Sequence, residues 1–127
     1  TIKYLREKII HCLRQLKDPV DFIDIENLWK NKYDETDFQG YHIHSQTTWS
    51  FIINYSVEET KTQFFNPYFN DIQNQTPRRI SEDMPIIYMP KLKRGQMIMF
   101  PSWVAHQVIA GNKGITISGN VKCRVGS

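Results

Sequence analysis

The stretch Gly40-Tyr41-His42-Ile43-His44-Ser45-Gln46-Thr47-Thr48-Trp49 places two imidazoles two residues apart, where the sequence begins to alternate as a strand does. Side chains at i and i+2 share one face of a strand, so both rings can point at one bound ion. A third histidine, His106, stands near the start of another strand-like run, Phe100-Pro101-Ser102-Trp103-Val104-Ala105-His106-Gln107-Val108. Two closely spaced ligands plus a distant one on a later strand are how a β-barrel builds a metal site with open positions. Open positions point to chemistry rather than scaffolding.

Outward from these histidines the chain reads as short strands separated by turns. Tyr41 to His44, Trp49 to Val57, Thr62 to Phe65, Ile86 to Met89, Gln96 to Phe100, Ala105 to Ile109 and Ile115 to Val121 are rich in aromatic and β-branched residues. Lys93-Arg94-Gly95, Pro101-Ser102 and Gly111-Asn112-Lys113-Gly114 supply turns. Asn66 to Pro85, broken by three prolines, reads as a long loop of the kind that is usually functional. Its Arg78 and Arg79 are either solvated or available to an acidic substrate. Before the strands, Ile2, Leu5, Ile9, Leu13 and Leu16 recur at steps of three and four, which predicts an amphipathic helix over residues 1–17, stopped by Asp18-Pro19. His11 falls inside it and reads as a structural or surface histidine. Val20 to Trp29 fits neither period and stays open between strand and helical turn, and Asn31 to Gln39 reads as a polar loop. One packing helix followed by regularly spaced strands predicts a mainly β fold, a small barrel or jelly roll with its core over residues 40–124.

The chain has 127 residues, enough for one core, and its hydrophobic fraction of 40% with 13% aromatics excludes disorder. A formal charge of +3 without any run of five like charges gives no indication of a nucleic-acid partner. Cys12 and Cys123 follow no metal or disulfide spacing, which favours free thiols and a cytoplasmic setting. No apolar segment is long enough for a membrane span, and the charged opening does not read as a signal peptide.

Gly95-Gln96-Met97-Ile98-Met99-Phe100-Pro101-Ser102, the following His106-Gln107-Val108 and the later Ile115-Thr116-Ile117-Ser118-Gly119-Asn120 resemble the iron(II)/2-oxoglutarate-dependent oxygenases of bacteria and phages. His42-Ile43-His44 and Trp49-Ser50 are similar to that family's paired-ligand motif and the strand after it. The likeness spans roughly Gly40 to Asn120. It implies a double-stranded β-helix holding Fe(II) between its sheets, with 2-oxoglutarate as co-substrate. The implied activity is oxidative decarboxylation of 2-oxoglutarate to succinate, coupled to hydroxylation of a substrate. That substrate, small molecule or protein, is not legible.

Two positions depart from the wider pattern. His44 stands where a carboxylate is usual, and reads as a ligand, as a residue behind the ligands or as a substrate contact. The arginine that grips the far carboxylate of 2-oxoglutarate would fall near Gly114, where there is none. Lys113 adjoins that place. Lys122 and Arg124 share a strand face with Asn120 if alternation continues, and Arg124 is preferred because a guanidinium binds a carboxylate bidentately. Asn54 and Asn120 are candidates for hydrogen bonds to the co-substrate, or else ordinary strand amides. Trp49, Trp103 and Phe100 read as core or pocket wall. The expected metal ligands are His42, His44 and His106. A three-histidine dioxygenase without 2-oxoglutarate and a non-catalytic cupin-like binding module remain as alternatives.

Overall fold

The apolar stripe near the N-terminus folds as expected into a helix, α1 (Ile2–Gln15), whose Ile9 and Leu13 are one turn apart and fully buried. The structure, a computed structural model, describes residues 2–15, 22–44, 48–66 and 87–124. The expected helix stop at Asp18-Pro19, nearly all of the Asn66-to-Pro85 loop with Arg78 and Arg79, and the side chain of Arg124 lie outside the described residues.

Among the described residues eight strands follow: β1 (Phe22–Tyr33), β2 (Gln39–His42), β3 (Trp49–Asn54), β4 (Thr62–Phe65), β5 (Ile87–Tyr88), β6 (Met97–Pro101), β7 (His106–Val108) and β8 (Gly114–Arg124). They pair antiparallel in two sheets, ordered β1-β8-β3-β6 and β2-β7-β4-β5. Successive strands cross between the sheets in pairs, the winding of a double-stranded β-helix, so the fold is the jelly roll expected. The helix α1 covers the outer face of the first sheet. There Ile9 and Leu13 join Ile23, Phe51 and Val121 in one buried cluster, with Trp49, Met97 and Met99 packed against it. A second cluster, Ile52, Phe64, Leu92 and Phe100, fills the space between the sheets.

The main difference from expectation is β1. The segment left open and the start of the expected polar loop together form one 12-residue strand, so the barrel begins at Phe22 rather than at residue 40. A bulge explains why no period was visible. Ile25 pairs with Val121 but Asn27 pairs with Asn120, so one extra residue on β1 shifts the phase of alternation. Before the bulge, Ile23 and Ile25 pack toward the helix. After it, Trp29 and Tyr33 line the space between the sheets. Trp103 also departs from expectation. It sits in the turn after β6 and is 60% exposed, not core.

Among the described residues, no helix is long and apolar enough to cross a membrane.

Candidate metal centre

Backbone pairing brings the three histidines together. His42 on β2 stands directly opposite His106 on β7. The chain continues to His44, whose amide donates to Ser102 O at 3.0 Å, keeping it on the same inward face. The β2 strand is bulged as well: Gln39 pairs with Val108 and His42 with His106, three residues against two. That extra residue lets Gln39 and His42 both face the interior although they are three apart. The imidazole centroids lie 4.2 Å (His42–His106), 5.0 Å (His44–His106) and 5.2 Å (His42–His44) apart. One ligand atom from each lies within 4.8 Å of the others, close enough to hold one metal ion.

Each ring is oriented by a carbonyl oxygen behind it. His42 Nδ1 donates to Gly40 O at 2.6 Å, His106 Nδ1 to Val104 O at 3.0 Å, and His44 Nδ1 to the Asn120 side-chain Oδ1 at 2.6 Å. Because these partners only accept, all three protons sit on Nδ1, and all three Nε2 lone pairs are left for a ligand. This is the arrangement that imidazole ligands of metals adopt. Burial favours the neutral form of two of the rings, His106 and His44. It is the largest cause lowering the pKa of His106 to about 4 and that of His44 in the same direction, and in each case neighbouring imidazoles add to it. A donor set of three neutral imidazoles fits a divalent transition metal. It leaves the ion its full charge, which favours an anionic chelator in the open positions.

The Asn120 amide is itself held. Its Oδ1 also accepts from Ser50 Oγ at 2.9 Å, and its Nδ2 donates to Asn27 Oδ1 at 3.1 Å. Ser50 in turn is 3.0 Å from Ser102 Oγ. Both serines are buried. Trp29 stacks on the His44 ring at 5.8 Å between centroids and 21° between planes. Sequence reasoning named Asn120, which does line the open cleft, but did not foresee its bond to His44, and it missed Ser50, Ser102, Asn27 and Trp29 as parts of the site. For the serines a signal was present, since both lie in the quoted motifs. For Trp29 the bulge hid it.

Other expected residues are not brought to the centre. Asn54 is fully buried, its Nδ2 donating to Val57 O and Leu92 O while Oδ1 accepts from Val57 N. It fastens a turn and lines neither of the cavities at the histidines. Lys122 is exposed and pairs in register with Asp24, outside the cavities around the histidines. Lys113 lies at a separate surface depression with Glu35, Glu58 and Arg94. Phe100 is pocket wall as expected, its ring 4.8 Å from that of His106. His11 is exposed, hydrogen-bonded to Gln15.

Two spaces meet at the histidines. An open cleft of about 500 Å³, walled by Trp29, Gly40, Ile43 and Asn120, reaches His42 and His44 from outside. Between the sheets past His106 the space narrows to about 20 Å³, room for about one water.

The fold is a jelly roll, and the three histidines form a candidate metal-binding site inside it. Residues 27–120, well over half of the chain, match the family described as "Putative 2OG-Fe(II) oxygenase", and the chain belongs to that family. The description of that family names Fe(II) and 2-oxoglutarate. An oxidoreductase of the 2OG-Fe(II) oxygenase family from Burkholderia pseudomallei has a similar crystal structure, with a TM-score of 0.60 at 12% identity. The match covers 95% of this chain and 59% of that one, so this chain spans under two thirds of its length. A cupin domain from Bordetella pertussis Tohama I gives a TM-score of 0.43 at 14% identity over 81% of this chain and 90% of that one. No curated protein sequence matches the chain.

Proposed function

We propose that the protein is an iron(II)- and 2-oxoglutarate-dependent oxygenase that hydroxylates its substrate, with His42, His44 and His106 as metal ligands through Nε2. The observation that carries this reading is the common orientation of the rings: three Nδ1–H groups donate outward to oxygen and leave three lone pairs turned inward. Bound iron would supply activation of dioxygen, coupled to decarboxylation of the 2-oxo acid. The chain's own residues do the rest. Asn120 holds His44 in register, while Phe64 and Phe100 close the centre from the apolar core. Trp29 walls the open cleft through which a substrate would enter. In this reading the setting is the cytoplasm, consistent with the free Cys12 and Cys123.

The test is anaerobic. Metal-free protein takes up one equivalent of Fe(II), and adding 2-oxoglutarate then develops the weak visible charge-transfer band of the chelate. His106→Ala should lose tight metal binding, because the two remaining rings hold the ion less well. Full affinity in that variant would overturn the ligand assignment. The absence of any carboxylate among the three ligands favours a second reading, a three-histidine dioxygenase that uses no 2-oxo acid. Metal uptake without a 2-oxoglutarate band would select it.

A further inference from the structure

The mouth of the open cleft runs between two strand edges. Strand β1 is an edge of the first sheet and supplies Trp29, while β2 is an edge of the second and supplies His42. Among the described residues no strand pairs with the far side of β2. Such an edge is a template for another chain unless lysine, proline or another charge blunts it. Apart from its bulge, Phe38-Gln39-Gly40-Tyr41-His42-Ile43 carries none of these devices. It instead leaves Phe38 71%, Tyr41 56% and Ile43 55% exposed. At Gly40 a Cβ would meet nothing within 4 Å, so the backbone there is open to close approach by another chain.

A second space lies across the same edge. On β7, His106 and Val108 face the space between the sheets, so Gln107 between them turns to the outer face. There Phe38, Gln107, Ile109 and Ala110 form a groove of about 320 Å³, which shares Gln39 and Gly40 with the cleft at the histidines. Among the described residues no Asp, Glu, Lys or Arg lines either space. A small molecule at the metal would use the cleft alone. An extended chain laid alongside β2 uses both, because its successive side chains, about 3.3 Å apart along the strand, point to opposite faces. The side chain beside the metal is then followed by one in the outer groove. Charge on either would be desolvated without a partner, so both are uncharged.

We propose that the substrate is a polypeptide, held in extended conformation alongside β2, with one uncharged side chain in the cleft at the histidines and the next in the apolar groove at Phe38, Ile109 and Ala110. This is strand addition to a sheet edge, in which the backbone gives affinity and alternate pockets give specificity. The inference rests on the oxygenase reading given above and names the class of its substrate.

The experiment selects from a displayed library of random peptides about 12 residues long, roughly 40 Å when extended, on Mn(II)-loaded protein. Recovered peptides are then measured by fluorescence anisotropy and NMR. They should carry uncharged side chains at adjacent positions, and bound Mn(II) should broaden the resonances of one of these residues most. Phe38→Glu, at a highly exposed position, should weaken peptide binding about tenfold or more and leave Mn(II) affinity unchanged. Ala110→Asp, also exposed, reads the same groove a second time. Uptake of Mn(II) and 2-oxoglutarate without any peptide that distinguishes the wild type from these variants overturns the proposal alone. A peptide whose resonances Mn(II) leaves sharp overturns it as well, because that peptide binds away from the centre. A concentration-dependent dimer abolished by Phe38→Glu also overturns it, by making a second copy of the chain the occupant of this edge. Failure to take up Mn(II) overturns the proposal together with the reading on which it rests.

Discussion

His44 can serve as a ligand only if its ring stays where Asn120 puts it. The Nδ1–H to Oδ1 hydrogen bond links residues 76 positions apart in the chain, and Ser50 and Asn27 hold the amide that accepts it. Asn120→Ala removes the acceptor, frees the ring to turn and leaves Ser50 Oγ without that partner. Metal affinity should fall about 10- to 100-fold, the usual cost of losing a group that orients a ligand. In a double-variant cycle with His44→Ala the second change should add little, since both remove the same ligand. Full additivity would mean that Asn120 acts elsewhere. The three histidines were legible because i, i+2 spacing on a strand is itself a geometric statement. The Asn120 contact was not legible, because cross-strand neighbours depend on register, which no local pattern reveals. Asn54 shows the same limit from the other side. An asparagine near a strand end looks identical whether it meets a ligand or fastens a turn.

At the level of strands and helix, the motif Ser118-Gly119-Asn120 gains a physical reason. Gly119 on β8 lies beneath the Phe51 ring. A Cβ there would come within 2.6 Å of Phe51 Cε1 and 2.8 Å of Asn27 O, the carbonyl beside the β1 bulge. The glycine therefore lets a fully buried phenylalanine cross the strand and reach Ile9 and Leu13 of α1. Gly119→Ala must move a core ring or a backbone carbonyl, and should cost about 1–3 kcal/mol, the usual range for overpacking. Urea denaturation measures this, and an unchanged midpoint would show that the core yields freely. Strands β3, β4, β6, β7 and β8 were readable in outline because each is a short run rich in aromatic and β-branched residues between turn-forming residues. The β1 strand was not. A single extra residue between Ile25 and Asn27 changes which face each later side chain takes, so apolar and polar positions lose their common period.

Over the whole molecule, the candidate metal centre ties folding to pH through the burial of His106 and His44. An unfolded histidine takes up a proton near pH 6.5. In the folded metal-free protein His106 does so only at about 4, chiefly because burial penalises the charged ring. Between these values the unfolded chain binds one more proton at this residue than the folded one. Stability therefore rises with pH across that window and is lost as pH falls through it. The gap corresponds to about 3 kcal/mol for His106, and His44, shifted the same way, adds to it. Metal-free protein should show a urea midpoint that drops steadily from pH 7 to pH 4.5, with a shallower drop in His106→Gln. Bound metal should raise the midpoint at pH 7, because the ion binds the folded centre alone, and the increment should shrink toward pH 5 as protons compete for the same lone pairs. An increment that stays constant over this range would place the ion on groups other than the three imidazoles.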